Sequence, residues 1–205
     1  MADTKTSGLS SITGANTATG DKFPVLDVSD TTQGAGGTLK TITRAELKAA
    51  MEEEGLGAAS IIHVQDQKTS GTSGGSASAT TQHTRTLNTV IENGITGASL
   101  SSNQITLPAG TYRSRAAAAF WGVDRNKLRL RDVTNSVTLV VGLDAYQPST
   151  AGGNALLRGK FTLSGTAAIE LQHYTAAAKA TAGLGIETNN GDIEVYADVY
   201  IEKIA

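Results

Sequence analysis

The sequence predicts a mainly β protein: a sandwich of about ten short strands, preceded by a small segment with two strands and one helix. Three observations lead there. From Ile61 onward, short apolar runs recur between Gly-, Ser- and Asn-rich turns, with no helical periodicity. The last stretch, Asp192 to Ile204, alternates strictly, with Ile193, Val195, Ala197, Val199 and Ile201 on one face and Glu194, Tyr196, Asp198, Tyr200 and Glu202 on the other. Helix signals occur only before Gly55, where Thr43-Arg-Ala-Glu46 has the spacing of a capping box.

Residues 1–22 are Ser, Thr, Gly, Ala and Asp, with Leu9 and Ile12 as the larger apolar groups. They cannot form a core alone and are expected to be extended or ordered by a partner. Phe23 to Val28 and Thr38 to Ile42 read as two short strands around a Gly-rich turn, with Pro24 directing the first to a sheet edge. The helix runs from the Thr43 cap to about Glu54, places Leu47, Ala50 and Met51 on one side, and stops at Gly55. The small, polar stretch that follows divides an N-terminal segment, 1–57, from a head, 58–205.

In the head, strands are expected at Ile61–Gln65, Thr84–Glu92, Asn103–Leu107, Gly110–Trp121, Lys127–Val133, Ser136–Leu143, Leu157–Leu163, Ala167–Tyr174 and, weakly, Ala182–Thr188. Asn189-Asn190-Gly191 then turns the chain into the closing strand. Tyr112 and Phe120 share one parity; Leu128 and Leu130 face one way, Arg129 and Arg131 the other.

Composition narrows the function. A net charge of −2 supplies no overall attraction to nucleic acid or to a membrane. No cysteine is present, so disulfides and thiolate chemistry are excluded. No apolar run approaches the roughly 20 residues of a membrane span, and no signal-peptide pattern opens the chain. Aromatic residues make up only 4%, while glycine numbers 23. Large apolar side chains are each worth roughly 1.5–3 kcal/mol on burial. So short a supply is commonly offset by oligomerisation, a cofactor or a metal.

Catalytic patterns are absent. His63, His83 and His173 lack ligand spacing, so no metal site is expected, and no catalytic or cofactor motif occurs. A glycan-cleaving enzyme would need a carboxylate pair in a cleft, and the acids of the head are scattered. One constellation can carry binding chemistry: Arg113 and Arg115 share a strand face, as do Arg129 and Arg131. If those strands are neighbours, four guanidinium groups cluster and suit an anionic ligand such as an acidic glycan. Tyr196 and Tyr200, among carboxylates on the outer face of the last strand, suggest a contact with another subunit.

Two stretches carry a family resemblance. Residues 2–21, with Phe23-Pro-Val-Leu-Asp-Val28 and Lys40-Thr-Ile-Thr-Arg-Ala-Glu-Leu47, resemble the virion-anchoring segments of bacteriophage tail fibres and related appendages. Val64-Gln-Asp-Gln-Lys68, Thr84-Arg-Thr-Leu-Asn-Thr89, Leu100 to Arg113, Phe161-Thr-Leu163, Ile169 to Tyr174 and Glu194 to Val199 resemble phage jelly-roll heads related to the complement globular-head and tumour-necrosis-factor fold. The resemblance implies a homotrimer of ten-strand sandwiches. It implies anchoring through Phe23, Val25, Leu26, Val28, Leu39, Ile42, Leu47 and Met51. It also places His63, Gln65, Tyr196 and Tyr200 near the threefold axis. The expected protein is therefore a short trimeric fibre or spike, made in the host cytoplasm and displayed on the virion surface. Its N-terminus would hold capsid or tail proteins. Its head would meet a host-surface glycan, through loops such as 144–154. The alternative is a capsid-bound head fibre or decoration protein with an architectural role.

Overall fold

The computed structural model describes residues 22–27, 38–53 and 60–204, which fall in two compact units, 1–58 and 59–205. In the first unit, β1 (Lys22–Asp27) pairs antiparallel with β2 (Thr38–Thr43), Lys22 opposite Thr43 and Asp27 opposite Thr38. Pro24 lacks an amide donor, and a two-stranded sheet has only edges, so it is accommodated opposite Thr41. Helix α1 (Arg44–Glu53) begins directly after β2. The Glu46 amide donates to Thr43 Oγ1 at 3.1 Å, and the Thr43 amide donates back to Glu46 Oε2 at 2.7 Å. This is the reciprocal cap expected from the spacing. The bond from the Thr43 amide, with help from its hydroxyl, holds the Glu46 carboxyl below its ordinary value. Val28, Glu54 and Gly55, and the side chains of Phe23, Leu26, Leu39 and Met51, lie outside the described residues. Val25 and Leu47 are exposed within this unit, and Ile42 is half-buried.

The second unit is a jelly-roll sandwich. Its strands are β3 (Ser60–Lys68), β4 (Thr81–Thr84), β5 (Thr89–Asn93), β6 (Ser99–Ser101), β7 (Gln104–Leu107), β8 (Gly110–Trp121), β9 (Asp124–Asp132), β10 (Val137–Gln147), β11 (Gly152–Leu163), β12 (Ala167–Thr175) and β13 (Glu194–Lys203). One sheet runs β11-β8-β13-β3-β5; the other runs β10-β9-β12-β7-β6, with β4 added to β12. With the short β4, β5 and β6 set aside and the other eight renumbered along the chain, the sheets read 6-3-8-1 and 5-4-7-2. That interleaving is the double Greek key of a jelly roll.

Period-two patterning decides the core. Ile62, Val64, Phe120, Leu157, Val199 and Ile201 face inward from the first sheet, and Ile105, Leu107, Leu128, Leu130, Ile169 and Leu171 from the second. Tyr112 stacks on Phe161 at 5.3 Å between ring centres, and its hydroxyl donates to the Pro108 carbonyl. Many remaining inward positions are small, among them Ala116, Ala118, Ala155, Ala167 and Ala197.

Four expectations fail. The expected strand Thr84–Glu92 breaks in two, because residues 85–88 cross from one sheet to the other, with Arg85 and Leu87 buried in the crossing. No strand forms over 182–188. Gly185 has φ +132°, and a side chain there would collide with the Tyr196 ring, so the segment closes on the loop at Gly74 and Gly75 through backbone bonds. The alternation of the last strand holds only from Ala197 onward. A bulge between Val195 and Ala197 inserts Tyr196 and reverses the parity before it. Tyr196 and Glu194 therefore turn inward, while Val195 and Ile193 turn outward. The proposed recognition loop 144–154 is mostly strand as well; only 148–151 connect β10 to β11.

Candidate functional site: the outer face of the five-stranded sheet

The outer face of β11-β8-β13-β3-β5 brings together groups far apart in sequence. Register places Arg158, Arg115, Tyr200, His63 and Glu92 in one row across the five strands. A second row runs Lys160, Arg113, Glu202 and Ile61. At the centre, Asp198 Oδ1 lies 2.6 Å from His63 Nε2 and accepts from Gln65 Nε2 at 2.7 Å. Gln67 continues the chain by donating to Gln65 Oε1. The Arg115 guanidinium lies over the Tyr200 ring, 4.6 Å from its centre, and the His63 ring is 6.0 Å from Tyr200 on the other side. His63, Gln65 and Tyr200 are thus neighbours on one surface.

Tyr196 is not part of that surface. It is 3% exposed, its hydroxyl donates to the Thr72 carbonyl, and Lys68 Nζ lies 5.6 Å from its ring centre. Burial pushes its hydroxyl up to about 12. The adjacent Glu194 carboxylate accepts from the amides of Asn189, Thr188 and Gly71. Those bonds, from Asn189 and Thr188 first, hold it below the ordinary carboxylate value. The bulge is thereby accounted for: it turns a carboxylate into a nest of loop amides and a tyrosine into the core.

The four arginines expected to cluster do not. β8 and β9 belong to different sheets, so Arg113 and Arg115 lie on one outer surface of the sandwich and Arg129 and Arg131 on the other. Arg129 donates to Gln172, and Arg131 to Thr138. Next to them, Glu170 accepts from Gln104, Gln172 and Thr84. Burial alone would raise its carboxyl, but the three bonds together outweigh it and hold it low. What joins Arg113 and Arg115 instead is Arg158 and Lys160, delivered by β11. Their alternation around Gly159 signals an outward pair in the sequence; only strand pairing shows what they meet.

A second cluster is buried. Arg85, 0% exposed, donates to the carbonyls of Ala119 (3.2 Å), Leu184 (2.8 Å) and Tyr196 (2.7 Å). Burial lowers its pKa to about 10, against the pull of Asp66. Asp66 is also buried, and desolvation raises its carboxyl against the charges of Lys68 and Arg85. His173 sits between Arg85 and Asn126, and burial first, then Arg85 and His83, lower it to about 3. These groups join the crossing segment to both sheets. Among the described residues no cluster of three or more His, Cys, Asp or Glu could hold a metal ion, and no helix is long and apolar enough to cross a membrane.

No protein-family model and no curated protein matches the chain. Solved structures with a similar course of the chain include murine APRIL (14% identity, TM-score 0.48, covering 71% of this chain and 99% of that one). They also include the PRD1 vertex protein P5 (15%, 0.47, 73% and 99%) and the globular domain of zebrafish complement 1qA (14%, 0.46, 72% and 98%).

Proposed function

We propose that the chain is the protomer of a short trimeric fibre or spike of a phage particle, attached through residues 1–57 and presenting the jelly roll to the host surface. The observation that carries the assembly is a pair of unlike surfaces on one sandwich. Along the edge strand β10, Val141, Leu143 and Tyr146 are 59%, 69% and 65% exposed, and Leu156 on the adjoining β11 is 42% exposed. A run of large apolar groups at one edge is more than the fold needs. The outer face of the five-stranded sheet offers the counterpart, with His63 and Gln65 ordered by Asp198, Tyr200 beside them, and all three half-covered. An edge that meets a different face on the next copy is a heterologous contact, which closes into a ring of three when each copy is rotated by a third of a turn. The number three, and the virion as the place, rest on the sequence resemblance of residues 2–47 and of the head. The protein then acts by binding and not by catalysis.

The assembly is tested by native mass measurement, which should give three times the 21.0 kDa chain. Tyr200→Asp would set a charge against the apolar edge of the next copy and should shift the mass towards the single chain. A lone subunit in the unaltered protein at micromolar concentration would overturn the assembly. Removal of residues 1–57 should leave a trimer that no longer joins particles, and normal incorporation would overturn the anchoring role. Electron microscopy of the particle separates a tail fibre from a head-shell decoration by where the density lies.

A further inference from the structure

Like charges directly opposite each other on paired strands destabilise a sheet. β8 and β11 carry two such pairs in succession: Arg115 opposite Arg158, and Arg113 opposite Lys160. All four point outward and are exposed. They border an open cleft of about 480 Å³, with Ser114 and Gly159 at its floor and Tyr200 and Glu202 along the β13 side. The one carboxylate of the lining, Glu202, stands 3.9 Å from Arg113. Arg115 rests on Tyr200, and Arg158 and Lys160 have no ion pair among the described residues. A chain of net charge −2 thus sets four cations against one acid at a single place. Packing does not require this, because the inward neighbours Tyr112, Leu157 and Phe161 are buried whatever the outward residues are.

We propose that this ladder is a binding site for the oxyanion groups of an acidic polysaccharide. The two rows stand roughly 6.6 Å apart along the strands and about 4.8 Å apart across them, so four long side chains converge on one oxyanion or on successive ones along a polymer. Guanidinium forks accept phosphate, sulfate or carboxylate through two parallel hydrogen bonds, and Tyr200 holds one fork in place. The cleft is open along β8. At one end lie the Thr111 and Thr162 hydroxyls, 3.2 Å apart; at the other, the small side chains of Ala117 and Ala119 leave room for a carrier chain. The ladder occupies the β11–β8 side of this sheet, while the contact proposed above centres on His63 and Gln65 of β3, with Tyr200 at the border of the two, so the site is complete in one sandwich.

The test is calorimetric titration of the intact protein with dextran sulfate and with polygalacturonate, with neutral dextran and inorganic sulfate as companions. At least one acidic polymer should bind, neutral dextran should not, and inorganic sulfate should compete. Arg158→Gln/Lys160→Gln should weaken binding about tenfold or more, from the loss of two charge-assisted contacts. It should also raise the melting temperature by about 2 °C, because the like-charge pairs are relieved. Arg115→Gln, with one cation fewer, should weaken binding less. Arg129→Gln/Arg131→Gln makes the same charge change on the opposite sheet and should leave affinity within about twofold. Equal losses in the two double variants would mean that overall charge alone is sensed, and would overturn the site. Absence of binding to both acidic polymers, or equal binding of neutral dextran, would overturn it too.

Discussion

Arg85 offers the sharpest test of how the sandwich is held together. The substitution Arg85→Met keeps an unbranched side chain of similar length and removes every donor. Three carbonyls, of Ala119, Leu184 and Tyr196, then lose a charged partner. Each such bond is worth roughly 1.5–3 kcal/mol net, but they share one side chain and do not add. Against them stands the relief of desolvating a guanidinium, which is large enough to bring Arg85 down to about 10. Asp66 meanwhile loses a compensating charge while remaining buried. Leaving buried carbonyls without their donor costs roughly 1–3 kcal/mol, and with the lost charge near Asp66 a loss of about 3 kcal/mol is expected here. It would be a large part of the roughly 5–15 kcal/mol by which domains are stable. Denaturant unfolding followed by circular dichroism, at one fixed protein concentration, reads it directly. Adding Asp66→Asn should restore about 1–2 kcal/mol, because the orphaned carboxylate is then neutral. A loss below about 1 kcal/mol for Arg85→Met would show that the crossing segment is held by Leu87 and backbone bonds alone, and would refute the reasoning.

Two further outcomes follow from the same packing. His173 binds a proton in the unfolded chain near 6.5 but in the folded chain only near 3, so its contribution is fully present above about 6.5 and is lost as pH falls towards 3. Stability should decline by about 1.4 kcal/mol per pH unit between those values from this one proton. The decline should flatten in His173→Gln over pH 4.5–6.5, above the range in which the lowered carboxyls of Glu170 and Glu194 titrate; an unchanged slope in unfolding curves would exclude His173 as its source. In the N-terminal unit, Thr43→Ala removes the cap of α1 and should cost about 1 kcal/mol of helix stability. Faster amide exchange over Arg44–Glu53 would show it, and unchanged exchange would count against the cap.

Much of the fold was legible because a strand writes its burial in alternate residues. Tyr112 with Phe120, Leu128 with Leu130, and Ile169 with Leu171 face the core as their parity required. The capping box placed the start of α1 for a similar reason: its hydrogen bonds join residues three apart and need nothing else. Parity misled at Tyr196, where one inserted residue reverses every side chain before it. The cause of that insertion, the loop amides around Glu194, comes from residues as distant as Gly71. The candidate site was half legible. Arg113 and Arg115 were visible as an outward pair, but β9 went to the other sheet and β11 came alongside instead. Arg85, the second residue of the expected continuous strand Thr84–Glu92, gave no sign of its burial.

By itself, then, the sequence determined what period and neighbouring residues can encode: a β-sandwich behind a small capped unit, which faces are apolar, and a chain without thiol chemistry. Tertiary structure alone decided which strands lie side by side, and with them that Arg158 and Lys160 face Arg115 and Arg113, that His63 meets Asp198, and that Arg85 is enclosed. The physical reason is that sheet pairing is set by packing between layers and by contacts between residues remote along the chain, so no local stretch contains it.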